Sequence, residues 1–433
     1  MRLFGTSGIR AVVDSWLIQL AQKVGLAVGS HYSRIIVGCD TRTSSSAMKQ
    51  ALTSGLLAAG AESFDAGVLP TPTLALAVKE FDAGVMITAS HNPPEYNGMK
   101  LLNPDGSAFD SNQQKKIEEK ISSDALTTTS WDRLHSISIY HDAIEQHIKK
   151  ILIDFPDNYR LKVALDCGCG AASVITPHLL KRMGCEVIAI NCYPSGFFPH
   201  NVEPNEANLI ELINKVCESG ADLGIAHDGD ADRMMAVDNR GRFVSGDKLL
   251  VILAQEMAAK EVATTIDASM AIDEVGFGVI RTNVGDNYVS QALKKGGDFG
   301  GEPSGSWVFP KNSLCPDGIY AAAQLVSIAS RHKLSQLVDD ITSYPMIRGS
   351  VSSDGVVFPN LEQRLITAMK PLSVNKIDGI KLNLEDGWLL IRASGTEPKI
   401  RVTVEAKKEA QVQQLYDNSI RLINESVIEG KEC

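Results

Sequence analysis

The chain has 433 residues, 44% of them hydrophobic and 22% charged, and a formal net charge of -10 from 52 acidic and 42 basic side chains. At roughly 100–200 residues per domain, two to four domains are expected, with apolar content for a core in each; the acidic balance disfavours nonspecific nucleic-acid binding, which needs a basic footprint. No apolar run approaches the roughly 18 residues of a membrane helix, the opening "MRLFGTSGIR" lacks a signal-peptide h-region, and the eight cysteines are scattered, so a cytoplasmic protein with reduced thiols is expected.

The predicted elements begin with a helix capped by Asp14 or Ser15, its apolar face formed by Leu17, Leu20, Ala21, Val24 and Val28. "RIIVGCD" (34–40) reads as a buried strand ending in a polar loop. A helix near "SSAMKQALTSGLLAAG", the strand "AESFDAG", a helix near 72–79 and the strand "GVMITAS" follow. This βα alternation predicts a parallel sheet covered by helices. Residues 114–150 read as one or two surface helices with a connection. A second run extends from "LKVALDCGCGAAS" (161–173) to "ADLGIAHDGDADR" (221–233), where Cys167-Gly-Cys169 has no second Cys/His pair at finger spacing and reads as small buried residues. "RGRFVSGDK" (240–248) opens a third run, which includes "VGFGVIRTNVGD" (275–286) and "FGGEPSG" (299–305). After about Ser350 the character changes: "GIKLNLEDGWLLIRASGTEPKIRVTVEA" predicts three strands, and a final helix carries Val412, Leu415, Tyr416, Ile423 and Val427. The expected fold is α/β, with three similar layered domains and a smaller C-terminal α+β domain. Ligands of open α/β sheets sit at the carboxyl ends of strands, and the four motifs that carry chemistry lie at such ends or in strand-connecting loops.

In "HDGDADR", Asp228, Asp230 and Asp232 alternate after an apolar run. In an extended loop, positions i, i+2 and i+4 face one way, and three converging carboxylates call for a hard cation, Mg²⁺ or Ca²⁺. An EF-hand is excluded, because its sixth position is Arg233 rather than Gly and its twelfth is Asn239 rather than Glu. "RASGTEPKIR" (392–401) combines Ser394, Gly395 and Thr396 with flanking Arg392 and Arg401. It reads as an anion nest between strands or as a plain hairpin, and it lacks Walker A spacing. In "GGEPSGS" (300–306), paired glycines admit a ligand close to the backbone, and Glu302 and Ser304 suit sugar hydroxyls. "VMITASHNPPEYNGMK" ends a strand on Ser90-His91 before two prolines. Neighbouring side chains of an extended chain diverge, so His91 is poorly placed to activate Ser90, and no G-x-S-x-G elbow is present. A phosphoryl carrier needs instead an exposed serine, a metal and a cationic pocket.

"TASHNPPEYNGMK", "DGDADR", "GGEPSG" and "RASGTEPKIR", with "FGTSGIR" and "DTRTSS" (40–45), together resemble the α-D-phosphohexomutase family along the whole chain and in the right order. The resemblance implies four domains around a central cleft, with bounds at 1–148, 149–242, 243–345 and 346–433, each giving one loop. It implies a phosphoserine at Ser90 and Mg²⁺ held by Asp228, Asp230, Asp232 and the seryl phosphate. Arg10, His91, Lys100 and Arg233 match positions lining the reaction centre, with Lys100 or His91 exchanging a hydroxyl proton. Glu302 and Ser304 would bind sugar hydroxyls, while Arg392, Ser394, Gly395, Thr396 and Arg401 would hold the non-reacting phosphate. A hexose or hexosamine 1,6-bisphosphate would serve as intermediate and activator, the partner would be a small sugar phosphate, with no nucleic acid and no membrane, and a homodimer is the candidate assembly. "GGEPSGS" and "RASGTEPKIRV" are most like the phosphoglucosamine mutase branch, and Pro303 and Ser306 fit its archaeal-type members, since the bacterial pattern usually has Gln and His there. The alternatives are a phosphomannomutase/phosphoglucomutase, a metal-dependent sugar phosphatase and a silent sugar-phosphate binder.

Overall fold

A computed structural model describes residues 3–5, 8–123, 126–352, 358–393 and 399–429. It divides into two compact units, one of residues 1–262 and 285–340, the other of residues 263–284 and 341–433.

The first unit begins with a six-stranded sheet formed by β1 (Ile9–Val12), β2 (Arg34–Cys39), β3 (Glu62–Val68), β4 (Ala83–Ile87), β5 (Tyr96–Leu102) and β6 (Ser138–Ile139), in the order β1-β5-β4-β2-β3-β6. Strand β2 alternates between two cores. Ile35 and Val37 pack with the helices α1 (Ser15–Gly29), α2 (Ser45–Ala58) and α4 (Ser111–Ser122). Ile36 faces the other way, toward α3 (Thr71–Ala77) and α5 (Ala143–Asp154). Burial on both faces explains the unbroken apolar run in the sequence. Asp14 caps α1 by accepting from the Leu17 N–H at 2.8 Å, as the sequence predicts.

Two expectations need correction here. The sheet is mixed rather than parallel, because β1 pairs antiparallel with β5, and β5 with β4. A parallel return needs a crossover of a dozen or more residues, and the chain between Ile87 and Tyr96 is shorter than that. The sequence also hid β5 as a strand, since its Asn97-Gly98 pair reads as a turn. Gly98 is there for space: a Cβ would lie 2.0 Å from the Ile9 carbonyl oxygen of β1. Nor is α5 a surface helix throughout, since it buries His147, Ile148 and Ile151.

The second sheet has the order β11-β10-β9-β7-β8. Strands β7 (Lys162–Asp166), β8 (Glu186–Ile190) and β9 (Leu223–His227) run parallel, covered by α6 (Thr176–Arg182) and α7 (Ile210–Ser219). Strands β10 (Met234–Val237) and β11 (Phe243–Val244) return antiparallel. After α8 (Gly246–Glu256), β12 (Glu261–Thr265) carries the chain into the second unit, where β13 (Gly278–Thr282) lies. The first unit resumes with α9 (Asp286–Lys295) and the antiparallel pair β14 (Phe299–Gly301) and β15 (Trp307–Val308), beside stacked Phe299 and Trp307. It ends with α10 (Gly318–Ala329) and α11 (Leu334–Asp339).

The second unit holds a fully antiparallel sheet, β16-β20-β19-β18-β17. The predicted three strands are β18 (Ile380–Leu384), β19 (Gly387–Ala393) and β20 (Lys399–Ala406), and the sequence missed β16 (Met346–Ser352), β17 (Ser373–Asn375) and α12 (Phe358–Met369). Val412, Leu415, Tyr416 and Ile423 of α13 (Glu409–Glu429) pack on the sheet's core as expected, whereas the side chain of Val427 lies outside those described.

Candidate active site

The site forms where two loops of the first unit meet. One joins β4 to β5 and carries Ser90. The other joins β9 to β10 and carries the aspartates. Ser90 has φ 49, the left-handed region that a serine rarely adopts. Its hydroxyl donates to Asp228 Oδ2 at 2.6 Å, and its amide donates to Thr88 Oγ1 at 2.8 Å. The loops approach so closely that a Cβ on Gly229 would lie 2.5 Å from the Ser90 carbonyl oxygen, so glycine is required there. The turn also corrects the expected geometry of His91. An extended backbone would hold the two side chains apart, but with Ser90 in the left-handed region, His91 Nδ1 comes to 3.4 Å from Ser90 Oγ. Burial, together with nearby Arg233, Arg10 and Lys100, pushes the His91 pKa down to about 2, so its imidazole is neutral.

Asp228, Asp230 and Asp232 are all buried, with ligand atoms within 4.8 Å of one another. Convergence was expected from an extended alternation, but a turn produces it. The Ala231 N–H donates to the Asp228 carbonyl at 3.2 Å, and Ala231 itself has φ 57. Lys100 Nζ donates to Asp230 Oδ2 at 2.8 Å and to Asp232 Oδ2 at 2.5 Å, and the Thr71 hydroxyl donates to Asp230 Oδ2 at 2.5 Å. Burial works against the Asp230 charge, but Lys100 and Thr71 outweigh it and hold that carboxyl below its usual range. Asp228 moves the opposite way, raised by burial and by the charges of Asp232 and Asp230. Asp230 Oδ1 and Asp232 Oδ1 are buried with no hydrogen-bond partner among the described residues. Orphaned, hard carboxylate oxygens beside a third carboxylate fit a divalent cation such as Mg²⁺.

Arg233 follows in the same loop. Its backbone N–H donates to Asp228 Oδ1 at 3.2 Å, its Nη1 lies 3.7 Å from Glu203, and it bridges to Ser306. That bridge brings the loop between β14 and β15 alongside, where Ser304 Oγ donates to Glu302 Oε2 at 3.4 Å and Glu302 Oε1 accepts the Gly285 N–H at 2.8 Å. Arg10 on β1 donates to Asn92 Oδ1 at 3.1 Å. The structure thus gathers Ser90, His91, Lys100, Arg233 and the aspartates, with Arg10 on the serine loop and the Glu302 loop against Arg233. In the second unit, Arg392 and Arg401 are paired directly across β19 and β20, and Arg392 Nη2 donates to Asp378 at 2.7 Å. Ser394, Gly395 and Thr396 lie outside the described residues.

Sequence reasoning missed Thr71, Asn92 and the role of Arg42, which makes four contacts to residues 90–96. Thr71 and Arg42 follow the carboxyl ends of β3 and β2, so the strand-end rule that located the motifs points to them as well.

Residues 1–128, 138–241 and 245–344 match the alpha/beta/alpha domains I, II and III of phosphoglucomutase/phosphomannomutase, and residues 356–421 match its C-terminal domain. A crystal structure of a phosphoglucomutase/phosphomannomutase family protein from Burkholderia thailandensis is similar, with TM-score 0.88 and 26% identity, covering 98% of this chain and 97% of that one. The chain belongs to the phosphoglucomutase/phosphomannomutase family and is an isomerase, a phosphohexomutase. Among its curated relatives, a probable phosphoglucosamine mutase of Methanosarcina acetivorans is 46% identical, covering 99% of this chain and all 100% of the relative. A probable phosphoglucosamine mutase of Methanococcoides burtonii is 45% identical over the same shares, 99% and 100%.

Proposed function

We propose that the protein interconverts glucosamine 6-phosphate and glucosamine 1-phosphate through a phosphoserine at Ser90 and a 1,6-bisphosphate intermediate. The observation that carries this reading is the Ser90 hydroxyl 2.6 Å from Asp228, inside a buried carboxylate triad. The amino-sugar substrate is favoured by the identity of 46% to a probable phosphoglucosamine mutase over nearly the full length of both chains.

In this reading the phosphoryl group of Ser90 passes to the free hydroxyl of the bound monophosphate. The resulting bisphosphate reorients, and its other phosphoryl group returns to Ser90. Positioning and charge neutralisation dominate such a transfer. The three carboxylates and the seryl phosphate would hold Mg²⁺, which supplies Lewis-acid neutralisation of phosphoryl charge. Arg233 and Arg10 add cationic charge. His91, whose protonated form is disfavoured by burial and the surrounding cations, is suited to a neutral hydrogen bond with the reacting hydroxyl rather than to holding its proton. Burial disfavours the Lys100 charge, but Asp230 and Asp232 outweigh that and raise its pKa, so Lys100 acts as a fixed charge. Glu302 and Ser304 would receive sugar hydroxyls, and Arg392, Ser394, Gly395, Thr396 and Arg401 the non-reacting phosphate. Domains at 1–148, 149–242, 243–345 and 346–433 would each contribute one loop. A cytoplasmic location, activation by the 1,6-bisphosphate and a homodimeric assembly belong to the same reading.

Intact-mass measurement of wild type and Ser90→Ala, with activity alongside, tests it. One phosphoryl group is expected on wild type, and none on an inactive variant. An active, unphosphorylated Ser90→Ala protein would end the reading. Equal or better kcat/KM on mannose or glucose phosphates would move the substrate to the phosphomannomutase/phosphoglucomutase alternative. Phosphate release without isomerisation would indicate a phosphatase.

A further inference from the structure

Arg42 follows β2 in the turn Asp40-Thr41-Arg42, and its side chain is fully buried, 0% exposed. A guanidinium has five N–H donors in a fixed fork, and the structure gives all of them partners. Nε donates to Asp40 Oδ2 at 3.1 Å. Nη2 donates to the carbonyls of Ser90 at 2.8 Å and Asn92 at 2.6 Å. Nη1 donates to the carbonyls of Pro93 at 2.6 Å and Tyr96 at 2.9 Å. The ring of Phe198 covers the guanidinium, its centroid 5.0 Å from the central carbon. Asp40 is fixed in turn, accepting from Ser45 Oγ and Thr88 Oγ1, each at 2.7 Å. Thr88 closes the circuit, since the same hydroxyl accepts the Ser90 N–H at 2.8 Å.

We propose that Arg42 is a positioning residue for the phosphoryl transfer, fixing the backbone of residues 90–96 so that Ser90 Oγ meets the aspartates at one distance. This rests on the phosphoserine reading of Ser90. With its donors committed to carbonyls and Asp40, Arg42 has none left for a substrate phosphate, so it is not a catalytic residue. A charge pair serving only the core would accept any buried oxygen. Here all four carbonyls come from residues 90–96, the stretch that carries the serine and leads into β5. That loop needs holding, because Ser90 sits at φ 49, and such backbone persists only where the surroundings over-determine it. Lysine keeps the charge beside Asp40 but has three donors on a flexible stem and cannot span the four carbonyls. A misplacement of about 1 Å costs on the order of 100-fold in rate.

The test compares wild type, Arg42→Lys, Thr88→Val and Ser90→Ala in steady-state kinetics, with melting temperature and with intact mass after incubation with glucose 1,6-bisphosphate. Arg42→Lys is expected to lower kcat about 100-fold with KM within about threefold of wild type, because transfer geometry rather than substrate binding is lost. Thr88→Val cuts the same circuit without removing a charge and is expected to lower kcat about tenfold. It decides the matter if Arg42→Lys does not fold. If Ser90→Ala is inactive while the folded variants keep kcat within about twofold, the Arg42 inference fails and the phosphoserine reading stands. A lowered melting temperature with unchanged kcat would likewise overturn it. A fully active Ser90→Ala protein would remove both.

Discussion

Lys100 in the first unit and Lys381 in the second are buried to nearly the same degree, 6% and 8% exposed, yet their pKa values move in opposite directions. Lys100 donates to two carboxylates, and its ammonium is held more firmly than in water. Lys381 donates to the Ile266 carbonyl at 2.7 Å and lies 4.0 Å from the centroid of the Trp388 ring. Burial, reinforced by the charge of Arg281, pushes its pKa down to about 8. The buried carboxylate nearby, Glu405, is taken up by the Ser269 hydroxyl, the Met270 N–H and the Trp388 indole N–H. Partners, not burial, decide the charge state. In the first unit, the ammonium meets two carboxylates of a buried triad whose orphaned oxygens suit a cation. In the second, the buried carboxylate is met by neutral donors.

Ser90→Ala should have the largest effect, a loss of kcat of about 10⁴-fold or more if the serine carries the phosphoryl group, read as formation of the 1-phosphate. Lys100→Met strips the counter-charge from the aspartates. Urea unfolding in EDTA should show a loss of about 3–5 kcal/mol, much of it regained with millimolar Mg²⁺. If Lys100→Met costs no more than Lys381→Met, the contrast between the two lysines collapses. Lys381 gives a pH test with a definite sign. Its folded pKa, about 8, lies below the roughly 10.4 of the unfolded chain. Between those values the unfolded chain binds the extra proton, so wild-type stability should rise with pH. Lys381→Met should remove that rise and stabilise the protein at pH 7 by about 1–3 kcal/mol; a wild-type curve flat from pH 8 to 10.5 would contradict this. Arg401→Ala should have the smallest effect, raising KM about tenfold with Ser90 phosphorylation and melting temperature unaltered. A drop in phosphorylation instead would place Arg401 in the transfer itself.

The four motifs were legible because each combines a strand end with residue types that have little reason to cluster otherwise. The Asp228, Asp230, Asp232 spacing is visible in any reading frame of the chemistry, and the family resemblance ordered the rest. The means of convergence were not legible. Ser90 and Ala231 adopt left-handed backbone that neither residue type advertises, and an extended reading therefore misplaced His91. Cys169, at φ 55, is likewise left-handed without its residue type announcing it. Strand β5 was masked by Asn97-Gly98, whose glycine answers to the close approach of β1 rather than to a turn.

The sequence by itself determined most of the alternation of strands and helices, the α/β class and the candidate site residues, since these follow from local apolar periodicity and from side-chain chemistry. Tertiary structure alone decided which groups neutralise one another. Arg42 finds its acceptors 48 to 54 residues away, on backbone carbonyls that every residue possesses and no motif records. Lys100 and Lys381 look alike as letters, and only the groups packed around each ammonium set its charge.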